Sequence, residues 1–148
     1  MRACAGTISM RVLGLDVGER RIGMAVSDGL GITAQRLALL ERGASPQQDA
    51  DAIAAFVTEK GAERIIVGLP LTMRGETGDQ AKKVLAFVEV LRARVSCPVE
   101  TVDERLTTVQ GQRALLETDT SRTQRKQLID QVAAQLILQS YLDARAQR

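Results

Sequence analysis

Apolar and polar positions alternate in short runs over the first third of the chain and in longer helical stripes after it. Arg11–Val17 (RVLGLDV) is a short apolar run that ends in an acid and Gly18. Arg21–Ser27 (RIGMAVS) follows a tight Gly18-Glu19-Arg20 link, and Asp28-Gly29 signals a turn before a third strand-like segment over Ile32–Leu40. Such segments, joined by turns of a few residues, predict an antiparallel meander.

Helix and strand then alternate. Ser45-Pro46-Gln47-Gln48 offers a capping hydroxyl, a proline at the first helical position and a Gln three residues after the cap. Ile53, Phe56 and Val57 keep helical spacing, and Gly61 stops the helix. Arg64–Gly68 (RIIVG) has the unbroken apolar centre of a buried parallel strand. Asp79–Arg94 predicts an amphipathic helix with Ala81, Val84, Leu85, Val88 and Leu91 on one stripe. Pro98–Val102 reads as another short strand, leading into Asp103-Glu104-Arg105. Thr107 with Gln110 forms a capping-box pattern for a helix to about Glu117. A polar loop follows over Thr118–Ser121, then a long helix from about Thr123 to Ala144. The order βββαβαβαα predicts one α/β domain over residues 10–148, a mixed sheet with helices on both faces. Residues 1–9 read as an irregular N-terminal extension.

Composition narrows the chemistry. Aromatic residues make up 2% of the 148 residues, so the core must come from Val, Leu, Ile and Ala, and base-stacking platforms are disfavoured. There is no histidine, which removes Ser-His-Asp and Cys-His catalysis and His-ligated zinc together. The two cysteines, Cys4 and Cys97, are far apart in sequence and fit a reducing, cytoplasmic setting. A net charge of +2 permits a nucleic-acid partner without arguing for one. No apolar stretch approaches the ~18 residues of a membrane span, and Met1–Ser9 lacks the apolar core of a signal peptide. Carboxylates with hard divalent ions become the leading catalytic option.

Three acids stand out. Asp16 ends the first strand, where open α/β sheets bind ligands, and Gly18 beside it allows close approach to the backbone. Its alternative role is a turn aspartate bonded to its own loop. Glu104 lies just past the Pro98–Val102 strand; if that strand is parallel to the first, both acids reach one sheet edge. Its alternative is a solvated charge paired with Arg105. Asp130 is the most telling, since positions 130, 133, 134, 137 and 141 share a helical face reading Asp, Ala, Ala, Ile, Tyr. A charge on an apolar face costs several kcal/mol unless it is paired with an arginine or bound to a metal. Carboxylates gathered at one edge need a cation between them. One or two Mg²⁺ or Mn²⁺ ions accept such ligands and clamp both the attacking and the leaving oxygen of a phosphoryl displacement.

Gly68-Leu69-Pro70-Leu71, with Thr72, Arg74, Gly75 and Gly78, reads as a glycine-rich loop able to hold backbone phosphates, although it lacks the ending of a Walker motif. Arg20, Arg21, Arg74, Arg105, Arg122, Arg125 and Lys126 fall near the proposed edge and are candidates for phosphate contact.

These residues carry a resemblance. Leu13-Gly14-Leu15-Asp16-Val17-Gly18 through Arg21–Asp28, Ile66-Val67-Gly68-Leu69-Pro70-Leu71 with Gly75, Asp103–Thr108, and Ile129-Asp130 with Ala133-Ala134, Ile137-Leu138-Gln139 and Tyr141-Leu142 resemble the YqgF family, also called RuvX. That family has the ribonuclease H-like fold of the RuvC Holliday junction resolvases. The resemblance implies a five-stranded mixed sheet, three antiparallel strands and then two parallel. It also implies a nuclease that matures the 5′ end of pre-16S ribosomal RNA, with Holliday junction resolution as an alternative role. Asp16, Glu104 and Asp130 carry over as catalytic metal ligands; Asp103, which strand alternation turns away from Glu104, ranks lower, as do Gly18 and Thr107. Two departures affect the site's surroundings. Gln131 stands where serine is common, and Glu19-Arg20 where Thr and Lys are common.

Two competing readings remain. A nucleotide-binding module of the actin or sugar-kinase type also places an Asp-x-Gly pattern at a strand end, but closes two halves around ATP. A non-catalytic module would bind nucleic acid or a ribosomal or transcription partner on the same fold. The expected partner is nucleic acid, pre-rRNA before structured DNA, with no membrane, and the expected state is a monomer or weak homodimer.

Overall fold

The computed structural model describes residues 11–72, 74–104 and 122–146, and within the last of these the side chains from residue 132 onward. The elements are β1 (Val12–Val17), β2 (Arg21–Ser27), β3 (Ala34–Glu41), α1 (Pro46–Lys60), β4 (Arg64–Leu69), α2 (Asp79–Arg92), β5 (Val99–Asp103) and α3 (Arg122–Ala146). The expected extension over residues 1–9, the helix from Thr107 and the loop Thr118–Ser121 lie outside the described residues.

Short links make β1, β2 and β3 antiparallel neighbours, while the crossovers through α1 and α2 make β1, β4 and β5 parallel. The result is a five-stranded sheet in the order β3-β2-β1-β4-β5, with the polarity expected from the sequence. β3 begins at Ala34 rather than Ile32, because the Asp28 carboxylate accepts the N–H of Ile32 at 2.7 Å and of Thr33 at 3.3 Å and holds both in the turn.

Strand alternation gives the sheet two apolar faces. Leu13, Leu15, Ile22, Met24, Ile65 and Val67 pack with Ile53 of α1 and with Val84, Phe87, Val88 and Leu91 of α2. Val12, Ala25 and Ile66 pack with Ala133, Ala134, Ile137, Leu138 and Leu142 of α3. Tyr141, expected on the apolar stripe of α3, is half-buried at its margin. On α2 the stripe is corrected at one place. Leu85 is exposed and Phe87, on the opposite margin, is buried instead, because at about 100° per residue position 87 falls beside Val84 and Leu91 in the core. The Arg42 guanidinium stacks on the Phe87 ring, 5.2 Å from its centroid.

The caps match their sequence signals. Ser45 Oγ accepts the Gln48 N–H, and Gly61 closes α1 in the left-handed region at φ 65°. Glycine has a different task at the centre of the sheet. A Cβ on Gly14 would lie 2.7 Å from Leu138 Cβ and 3.3 Å from the Ala134 carbonyl oxygen. Only a residue without a side chain lets α3 pack so near β1.

Candidate active site

The carboxyl ends of the parallel strands β1, β4 and β5 share one edge of the sheet. Along β1, Val12 packs against α3, and the two-residue period places Gly14 and Asp16 on that same face. Asp16 is buried there, paired across the ladder with Gly23 of β2. Along β5, Val99 belongs to the opposite core and Val102 to the α3 side. Glu104, two residues beyond Val102, therefore falls on the α3 face with Asp16, and it is 4% exposed. Asp103 shares the opposite face with Val99 and is half-buried.

Two strand spacings of roughly 4.8 Å separate β1 from β5. The intervening strand carries Gly68, and a Cβ there would lie 3.1 Å from Glu104 Cγ and 2.5 Å from Ile137 Cδ1. Glu104 thus leans over β4 towards β1, in the space a side chain on residue 68 would fill.

The course of α3 follows from its contacts. Arg145 lines a small cavity with Arg11, Val12, Glu63 and Arg64, at the amino ends of β1 and β4. Ala134 and Leu138 lie over Gly14, further along β1. The helix therefore runs back along β1 towards its carboxyl end. Residue 130 sits one turn, about 6 Å, beyond Ala134 in that direction, and on the face shared by residues 134 and 137. Among the described side chains no three potential metal ligands form a group; Asp16 and Glu104 are brought to one edge and one face, and Asp130 is placed by its backbone in α3.

The donor chemistry suits a hard divalent cation. Asp16 and Glu104 offer carboxylate oxygens and are both buried, and a histidine-free chain has no imidazole to bias the site towards zinc.

The basic candidates divide. Arg20 and Arg74 are exposed. Arg21 pairs with Glu41 of β3 at 2.8 Å. Arg122, Arg125 and Lys126 lie in the first turns of α3, and Arg105 and Thr107 lie outside the described residues. Two expectations change. Gly68 and Leu69 belong to β4, so the loop starts at Pro70. Its middle is a compact turn in which the Thr72 N–H donates to the Glu76 carbonyl and Thr72 Oγ1 accepts the Glu76 N–H. At Gly18 the close approach is made by the chain itself: its N–H donates to the Arg21 carbonyl at 2.8 Å, and a Cβ would sit 2.9 Å from that oxygen.

The sequence reading missed Arg42 and Asp49. Arg42 Nε donates to Asp49 Oδ2 at 2.9 Å and Nη1 donates to the Gly18 carbonyl at 2.9 Å, while the Gly43 N–H donates to Asp49 Oδ1. A signal was present: Asp49 and Ile53, four residues apart, share a helical face, an acid on an apolar stripe as at Asp130.

A family model described as RuvX, Holliday junction resolvase, matches residues 10–144. The chain belongs to the RuvX family. Curated relatives agree over nearly their whole length. The chain is 52% identical to a protein of Moorella thermoacetica over 134 residues, covering 90% of this chain and 95% of that one. It is 49% identical to a Clostridium novyi protein over 135 residues, covering 91% and 99%. Both carry the name "Putative pre-16S rRNA nuclease". Among solved structures, Thermus thermophilus RuvC in complex with a Holliday junction substrate superposes with a TM-score of 0.55 at 18% identity, over 93% of this chain and 96% of that one. A second structure of Thermus thermophilus RuvC gives 0.51 at 17% identity, over 93% and 97%. The RuvX chain therefore has the ribonuclease H-like fold, with Asp16 and Glu104 at the carboxyl edge of its sheet. Among the described residues no helix is long and apolar enough to cross a membrane.

Proposed function

We propose that this RuvX protein is a metal-dependent nuclease that hydrolyses phosphodiester bonds and trims the 5′ end of pre-16S ribosomal RNA in the cytoplasm. The observation that carries the reading is the burial of two carboxylates, Asp16 and Glu104, on one face and one edge of the sheet, in a chain about half identical to relatives named for that activity.

Asp16, Glu104 and Asp130 are the proposed ligands of one or two Mg²⁺ or Mn²⁺ ions. When bound, such ions supply an activated water and neutralise charge on the phosphoryl oxygens. The chain's own residues do the rest. Glu104 is buried with its Cγ over Gly68 of β4, so little conformational freedom is lost when it takes up a ligand. Burial of both acids excludes bulk water and strengthens their attraction for a cation. The guanidinium groups of Arg20 and Arg74, exposed in neighbouring loops, receive the phosphate backbone and orient it.

A second substrate reading has its own support in the family description and in the RuvC complex: a four-way DNA junction. One assay separates the two. Purified protein with Mn²⁺ is offered a 5′-extended 16S precursor, single-stranded RNA, single-stranded DNA and a four-way junction, with Asp16→Asn as the blank. Preferential cutting of the precursor is expected. Preference for the junction transfers the function to DNA, and no cleavage of any substrate overturns the nuclease reading.

A further inference from the structure

At the same carboxyl edge of the sheet, past Gly18 on the β3 side of β1, lies a basin of about 410 Å³ lined by Glu19, Arg20, Arg21, Glu41, Arg42 and Gly43. Its arginines are held to different degrees. Arg42 is the most fixed, bound to Asp49 and to the Gly18 carbonyl and stacked on Phe87. Those two hydrogen bonds use two of the five guanidinium N–H groups. Arg21 is tied by Nε to Glu41, which leaves its terminal nitrogens for another acceptor. The basin's acids are engaged as well, Glu41 by Arg21 and Glu19 by Lys83 at 3.3 Å. Among the described residues Arg20 has no carboxylate partner, and it is exposed.

A pinned guanidinium, a second one anchored at its Nε and a third without a counter-charge make a cradle for a tetrahedral anion. Its place indicates which anion. Arg42 Nη1 is 2.9 Å from the carbonyl of Gly18, and Gly18 is separated from Asp16 by at most about 7 Å of extended chain. Successive nucleotides of a stacked strand advance roughly 3.4 Å.

We propose that this basin is a subsite for an internal phosphodiester of the substrate strand, a few nucleotides from the bond cut at the acids. The assignment rests on the nuclease reading and adds a direction to it: the strand crosses the carboxyl edge of the sheet from Glu104, past Asp16, towards the loop between β3 and α1.

The test is a binding measurement separate from cleavage. A fluorescein-labelled single-stranded 2′-O-methyl RNA is titrated with the full chain by anisotropy, with Ca²⁺ in place of Mg²⁺, across a range of salt concentrations. Arg20→Ala is expected to weaken binding several-fold and to lower the salt slope by about 0.7, the value for one lost phosphate contact on a single strand. Arg20→Lys restores the slope. A neutral methylphosphonate is then moved one linkage at a time along the oligonucleotide. One internal linkage is expected to matter for the wild type and to become silent in Arg20→Ala. An unchanged slope in Arg20→Ala, a sensitive linkage that persists in that variant, or no binding by the wild type overturns the subsite. A protein that binds through the basin yet cuts nothing in Mn²⁺ loses the nuclease reading and keeps the subsite.

Discussion

Glu104 Cγ lies 3.1 Å from the position a Cβ on Gly68 would occupy, so this catalytic candidate is seated on a glycine of the neighbouring strand. Gly68→Ala therefore touches two neighbours at once. Its methyl would meet Ile137 Cδ1 at 2.5 Å, a side-chain end that can move, and Glu104, which must shift. The expected cost is about 1–3 kcal/mol in urea unfolding, with a larger proportional loss of nuclease turnover. Ile137→Val removes Cδ1. The double variant should recover stability while turnover stays low, because Glu104 remains displaced. Recovery of both together would show that Glu104 is not held by this contact.

Gly14→Ala should be worse than Gly68→Ala. Here the clash is with Leu138 Cβ at 2.7 Å and the Ala134 carbonyl at 3.3 Å, atoms fixed to the helix backbone. α3 as a whole must move from the sheet, taking residue 130 with it. Destabilisation of about 3 kcal/mol or more is expected, with little relief from Leu138→Ala, since alanine keeps the clashing Cβ and the carbonyl contact persists. A thermal melt of both glycine variants beside the wild type decides the order.

The proposed metal site predicts a stability increment as well as activity. An ion that binds only the folded chain stabilises it by about 2.7 kcal/mol at a hundred times its dissociation constant. Mn²⁺ should raise the melting temperature of the wild type and leave those of Asp16→Asn, Glu104→Gln and Asp130→Asn nearly unmoved, and cleavage should be lost in all three. An equal Mn²⁺ shift in wild type and variants would place the ion elsewhere.

Arg42 and Asp49 form a structural pair with consequences for the basin. Asp49 is 3% exposed and accepts both the Arg42 guanidinium and the Gly43 N–H. Asp49→Asn leaves Arg42 without its counter-charge and is expected to cost about 2–3 kcal/mol, less than for a fully buried pair because the Arg42 side chain is 22% exposed. Arg42→Met combined with Asp49→Asn should cost clearly less than the sum of the two single changes. Additive losses measured by urea unfolding would show that the two side chains act separately.

How far the sequence revealed the site depends on the kind of signal each residue carries. The strand ends at Asp16 and Glu104 were legible from short apolar runs and turn residues, because hydrophobic alternation and local turn chemistry are encoded within a few positions. The antiparallel and parallel polarity of the strands followed from link lengths. What stayed hidden depends on contacts between distant elements. Gly14 and Gly68 look like ordinary strand residues until Leu138 and Ile137 are found above them. Arg42 joins Asp49, Gly18 and Phe87, a meeting of four elements that no spacing announces. Asp49 shows the limits of the argument made for Asp130: an acid on an apolar helical face met an arginine there, one of the two fates such a charge has.

The turn at Asp28 gives a pH prediction whose sign is fixed. Its carboxylate accepts the Ile32 N–H at 2.7 Å and the Thr33 N–H at 3.3 Å. Those bonds, the Ile32 one first, hold its pKa below the ordinary aspartate range against a smaller opposing effect of desolvation. A depressed folded pKa means that the unfolded chain takes up the proton first. The contribution of Asp28 to stability is therefore complete above about pH 4 and is lost as pH falls through the folded value. Asp28→Ala should be less stable than the wild type at neutral pH, and the gap should narrow in urea unfolding below about pH 4. NMR titration of the Asp28 carboxyl should give a midpoint below that of an aspartate in a short peptide. A midpoint at or above the peptide value would mean that the turn is not held by these two N–H groups.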